Sequence, residues 1–264
     1  MTGSERGFTI IEVILFLAIT GGLFAALMIG VSVGVTQQRY LDSVRSYKAL
    51  LQDQYIAAVN TRNEDNKTVR CDTANDGTVE TDENNTNFRS PTRGSSGCVI
   101  LGRAIQLVAK PGASLAEPPT TEIITSSVTG YDPGVVTGSS NDALASYQPK
   151  LALFDQQTST IDWGGRLTQA ERQNQSDLST AIILILRSPL SGSITVYTSD
   201  TGLNGSNDLT PLFDGSGLLN STIIRSCVDG DSGMLPKQMI VIDPKIGGPD
   251  AVSSDGGASE VCQR

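Results

Sequence analysis

The chain contains no histidine. That absence removes Ser-His-Asp triads, Cys-His dyads and imidazole metal ligands together. It also has no GxxxxGK[ST] and no GxGxxG, so nucleotide cradling lacks its usual loop, and no CxxC, so a zinc ribbon or dithiol redox site is not expected. Basic residues are outnumbered, 19 Lys+Arg against 28 Asp+Glu, for a net charge of −9. No basic patch emerges, and direct nucleic-acid binding is not indicated. Proline is absent before Pro91, and no residue from Val13 to Val35 carries a formal charge.

Those last two absences frame what is present. Seven polar residues, Met1 to Gly7, with Arg6 next to the glycine, run into Phe8-Thr9-Ile10-Ile11-Glu12-Val13-Ile14-Leu15-Phe16-Leu17. As a helix, Val13 to Val35 spans roughly 34 Å at 1.5 Å per residue, enough to cross a bilayer. The run is too long for the apolar core of a secretory signal peptide. Beyond it, Leu41, Val44, Tyr47 (or Tyr40), Leu51, Tyr55 and Ala58 recur at steps of three and four. This spacing predicts an amphipathic continuation. One helix is expected from about Thr9 to about Asn60, roughly 75–80 Å long, apolar all round at first and amphipathic after. Within its apolar half stands a single acid, Glu12, whose insertion costs about 2.5–3.5 kcal/mol. A solitary carboxylate there calls for a partner.

Gly7-Phe8-Thr9-Ile10-Ile11-Glu12 resembles the prepilin junction of type IV pilins and type II secretion pseudopilins. The resemblance covers about the first 30 residues. It implies that a prepilin peptidase cuts after Gly7 and methylates the new amine of Phe8, and that Glu12 is the assembly glutamate. It also implies a leader at 1–7, a transmembrane and assembly helix at 8–61, and an exported β-rich domain at 62–264. The chemistry is self-consistent. A free amine on Phe8 is largely cationic at neutral pH and stays charged when methylated. Glu12 lies one turn away, where the helix dipole favours an acid. In a bundle, Glu12 of one subunit meets the amine of the next, and stranding either charge typically costs 3–5 kcal/mol. Gly30-Val31-Ser32-Val33-Gly34 adds a GxxxG spacing for close helix approach, and Gly21-Gly22 is a weak point where such helices unwind in filaments. The proline that accompanies this unwinding in the family is missing here.

The implied function is that of a structural pilus subunit, with the size of the domain favouring a minor pilin, acting in adhesion, motility or DNA uptake and not as an enzyme. The alternative is a pseudopilin of a type II secretion or competence apparatus. Partners are further copies of the chain or other pilins, the peptidase, and membrane lipid before assembly. The expected location is the inner (cytoplasmic) membrane as a single-pass precursor, with Arg6 on the cytoplasmic side, and then the pilus at the cell surface.

About 200 residues remain after the helix, enough for one domain. The expected class is α+β: the long helix packed on an antiparallel sheet. Strand signals lie at Cys98–Leu101, Ala104–Val108, Glu122–Thr125, Lys150–Phe154, Thr160–Trp163, Ala181–Leu186, Ser193–Tyr197, Thr222–Arg225 and Gln238–Ile242. Asn60–Ser96, Gly130–Ser146 and Gly247–Gly257 read as connections. Cys71, Cys98, Cys227 and Cys262 suggest two disulfides in an exported domain. Three pairings are possible. Cys71–Cys98 with Cys227–Cys262 is favoured, closing loops of about 28 and about 36 residues, and the second is similar to the C-terminal disulfide loop of many pilins. No cofactor is expected. Calcium is the one ligand with candidate residues, at Asp72, Asp76, Gly77, Glu80 and Glu83, where Ala74 interrupts the ligand pattern, or at Asp200, Asn204, Gly205 and Asp208. Such clusters are more often solvated turns. Gly230-Asp231-Ser232-Gly233 resembles the nucleophile loop of trypsin-like proteases, and without histidine it reads as a turn.

Overall fold

A computed structural model describes residues 9–60, 69–72, 78–81, 98–110, 120–131, 134, 139–152, 155–161, 166–172, 180–199, 207–213, 219–220, 223–229, 237–243, 246, 248–255 and 262. The chain divides into two compact units, Met1–Asp42 and Ser43–Arg264. One helix, α1 (Ile10–Val59), belongs to both, in keeping with an apolar run that passes into a stripe at steps of three and four with no proline between. It continues through Gly21 and Gly22 without a break.

The second unit is α+β, with every strand pair antiparallel. The expectation is one sheet; the described residues form three. Strands β1 (Val69–Asp72) and β2 (Thr78–Thr81) form a hairpin inside the stretch read as loop. The large sheet has seven strands. Its central pair is β3 (Cys98–Lys110) and β4 (Thr120–Tyr131). β8 (Thr180–Arg187), β9 (Ile194–Ser199) and β10 (Leu219–Asn220) extend it on one side. On the other side, β5 (Lys150–Leu151) and β6 (Gln157–Thr160) both pair with β4. The third sheet runs β13 (Val252–Asp255), β12 (Gln238–Ile242), β11 (Ile224–Asp229), β7 (Arg166–Arg172).

Several strand limits differ from expectation for physical reasons. The two segments read around Gly102 are one strand with a bulge between Ile100 and Gly102. A Cβ on Gly102 would lie 2.0 Å from the Ile185 carbonyl oxygen, so glycine is required there. Of the strand expected at Thr160–Trp163, Thr160 ends β6, and of that expected at Lys150–Phe154, Lys150 and Leu151 form β5; Leu153, Phe154, Asp162 and Trp163 lie outside the described residues. β7 and β13 are polar segments that become strands by pairing with β11 and β12. The connection Gly130–Ser146 contains a short helix, α2 (Ser140–Ser146), started by a reciprocal capping box between Ser139 and Asp142. Hydrogen bonds from Ser139 hold the Asp142 carboxyl below its usual range.

The large sheet is covered on both faces, which is why β8 reads Ala-Ile-Ile-Leu-Ile-Leu without alternation. On one face Ala104, Val128, Leu184 and Leu186 pack with Leu144 and Tyr147, at the end of α2, and with Leu209 and Leu212, the latter on α3 (Thr210–Phe213). Tyr197 and Phe213 meet edge to face there, centroids 6.0 Å apart. On the other face Arg103 is paired across the strands with Ser127 and Ile185, and Ile105 with Thr125 and Ile183. That face receives the C-terminal part of α1, since Arg103 donates to Gln54 at 2.9 Å. Along α1, Val44, Tyr47, Leu51, Tyr55 and Ala58 are buried, the stripe the spacing anticipates. Tyr47 is fully buried beside Ser226 of β11, and burial pushes its phenol up to about 12. The Ser226 hydroxyl nearby pulls the other way more weakly, and at the spacing seen neither the Tyr47 hydroxyl nor Ser226 Oγ completes a hydrogen bond among the described residues.

Candidate functional site: the apolar half of the long helix

The first unit presents one chemically unusual surface. Between Ile10 and Val35 the large apolar side chains stand 41–81% exposed. In a water-soluble subunit such a surface would be a severe liability. The helix is long and apolar enough to cross a membrane. Two of its hydroxyls bond back to the helix itself. Thr20 Oγ1 donates to the Phe16 carbonyl at 2.8 Å, and Thr36 Oγ1 to the Ser32 carbonyl at 3.0 Å. Hydroxyls bonded back to their own helix lower the cost of immersion in lipid.

Glu12 stands exposed on the first turn. Its backbone N–H and that of Val13 both bond to the Thr9 carbonyl, at 3.1 and 3.3 Å. The side chain is thereby placed at the positive end of the helix dipole. The two residues expected to flank the cleavage, Gly7 and Phe8, lie outside the described residues. Downstream, Gly21, Gly22, Gly30 and Gly34 have open space where a Cβ would be. Nothing among the described residues requires a small residue at these four positions.

Of the expected disulfides, Cys227–Cys262 is formed, Cα atoms 5.7 Å apart. With Met239 and Val241 it makes a small cluster on the four-stranded sheet and fastens the C-terminal segment there. The side chains of Cys71 and Cys98 lie outside the described residues. So do Asp76, Gly77, Glu83, Asp200, Asn204 and Gly205, the side chains of Asp72 and Glu80, and the turn Gly230–Gly233. Asp208 is described: it faces Lys150 across a single β-bridge, and its Oδ1 accepts the Thr210 N–H at 2.9 Å, opening α3. Among the described residues no three acidic or cysteine side chains gather as a metal site.

One polar cluster escaped the sequence reading. Arg103 donates to Asp155 Oδ2 at 2.7 Å and to Ser127 Oγ at 2.6 Å, and also to Gln54. Asp155 in turn accepts the Ser127 N–H at 2.9 Å and the Ser127 hydroxyl. The only available signal was a cation at a core-facing position of an apolar strand. No family model, no curated protein and no solved structure matches this chain.

Proposed function

We propose that this protein is a structural subunit of the type IV pilin kind that acts by polymerising through the N-terminal half of α1. The observation that carries the reading is the exposed apolar surface from Ile10 to Val35 with Glu12 at its head. The glycine, phenylalanine and glutamate of Gly7-Phe8-Thr9-Ile10-Ile11-Glu12 support it, as does a disulfide suited to an oxidising compartment. In the membrane the helix anchors the precursor. In the filament it exchanges lipid for the helices of neighbours, and Glu12 meets a neighbour's Phe8 amine. Lipid and helix packing are both apolar, so the exchange itself is nearly balanced and the ion pair sets register. The chain assembles and does not catalyse, in keeping with a composition that lacks any imidazole base.

The test separates insertion from assembly. Glu12→Ala inserts into membranes at least as well as the wild type, because a costly charge is gone. Its filament yield, measured by shearing and sedimentation, drops at least tenfold. Wild-type yield from Glu12→Ala would refute the pairing.

A further inference from the structure

The C-terminal half of α1 is held on the second unit by more than its apolar stripe. Taking Leu51 as the centre of that stripe, Gln54 lies about 60° to one side and Gln52 about 100° to the other, at 100° per residue. The two amides bond in opposite directions. Gln54 Oε1 accepts from Arg103 Nε of β3 at 2.9 Å, and Gln52 Nε2 donates to the Pro249 carbonyl at 3.2 Å. Pro249 begins the 3₁₀ turn that leads directly into β13. One glutamine therefore reaches the seven-stranded sheet and the other the four-stranded sheet.

We infer that Gln52 and Gln54 are positioning residues that fix the roll of α1 about its own axis. An apolar stripe is non-directional and tolerates some rotation, because each side chain can trade one neighbour for another. Hydrogen bonds are directional and lose strength steeply when misaligned. A roll in either sense stretches one of the two bonds. The Gln54 side is anchored firmly, since Arg103 is itself fixed by Asp155 and Ser127, and a planar guanidinium with three held donors cannot follow a moving partner. The four-stranded sheet meanwhile presents Ser226 and Ile240, neighbours in register, and Tyr47 lies beside Ser226, but neither hydroxyl completes a hydrogen bond among the described residues, so this contact holds the roll less firmly. The inference concerns the second unit alone and stands whether or not the chain assembles.

The experiment uses the full chain in detergent micelles, with nitroxide labels placed through bioorthogonal ketone side chains at exposed Ala49 of α1 and exposed Thr158 of β6. The label-to-label distance distribution is measured by pulsed electron paramagnetic resonance. In the double variant Gln52→Ala/Gln54→Ala the distribution broadens and its mean shifts, while the melting temperature falls by no more than about 4 °C. Gln54→Glu keeps an acceptor for Arg103 and retains the wild-type distribution. Identical distributions in the wild type and the double variant would overturn the inference and leave the roll to the apolar stripe. Should the double variant unfold, Gln54→Ala is compared with Gln54→Glu: the first must shift and the second must not, and equal distributions again overturn it.

Discussion

Asp155 completes an interrupted sheet edge for Ser127. β5 pairs with β4 at Val128 and Thr129, and β6 pairs with it from Glu122 to Thr125, leaving a gap between them. Within that gap the Ser127 N–H bonds to Asp155 Oδ1 at 2.9 Å. A carboxylate thus stands where a strand carbonyl would otherwise be, and Arg103 neutralises it at 2.7 Å. Both charged side chains are 15% exposed, so solvent screens the pair only partly.

Removing one partner should therefore be costly. Asp155→Ala leaves the Ser127 N–H without its acceptor and a mostly buried guanidinium without its counter-charge, held only by Ser127 Oγ and Gln54 Oε1. The expected loss is about 2–4 kcal/mol in chemical denaturation. Asp155→Asn retains an acceptor for the N–H and should lose less. Equal stability of Asp155→Ala and the wild type would show that the edge is held by backbone pairing alone.

Tyr47 should behave in the opposite way. Its hydroxyl is buried with no hydrogen bond among the described residues, so Tyr47→Phe is expected to be neutral or to stabilise by about 1 kcal/mol. The same burial creates a pH dependence. The folded phenol titrates near 12 against a reference of 10.0, so the neutral form is the one the fold favours. Its contribution is complete below pH 10 and is lost as pH rises from 10 through about 12, on the order of 2–3 kcal/mol in all. Tyr47→Phe should lack that component. Identical alkaline profiles for the two proteins would contradict it.

The Cys227–Cys262 bridge spans a sequence separation of 35 and fastens the last segment of the chain. Replacing both cysteines with serine should cost about 2–4 kcal/mol and loosen the C-terminus to protease. Unchanged stability under reductant and in the double variant would mean that Met239 and Val241 hold the segment unaided.

Glycines in the two units should respond differently to substitution. Gly102→Ala forces a Cβ to 2.0 Å from the Ile185 carbonyl oxygen and should destabilise by about 3 kcal/mol. Gly30→Leu meets open space within the subunit and should leave the melting temperature unchanged. Its effect should appear in filament yield, where close helix approach is lost. Normal filaments from Gly30→Leu would remove Gly30 from the packing surface.

The helix was legible because its signals are local: an apolar run, a stripe at steps of three and four, and no proline. β8, β9 and β12 were legible for a related reason, as their apolar runs are unambiguous. Gly102 looked like a gap between strands, since a bulge and a break read alike when the partner strand is unknown. Gln157-Thr158-Ser159-Thr160 and Val252-Ser253-Ser254-Asp255 carry too little apolar character to stand out, and only their partners β4 and β12 make them strands. The Ser139 and Asp142 capping signal was present but opened a helix of only seven residues. Arg103 could be noticed as a misplaced cation, yet its acid lies 52 residues away, and no periodicity in one sequence links such a pair.

The most direct measurement is the mass of the N-terminal peptide of the protein purified from its native membrane or filaments. Cleavage after Gly7 and one methyl group on the Phe8 amine are the result expected of a subunit that assembles through this helix. A chain that still begins at Met1, or one that begins beyond Val35 with the whole apolar segment removed, would contradict it.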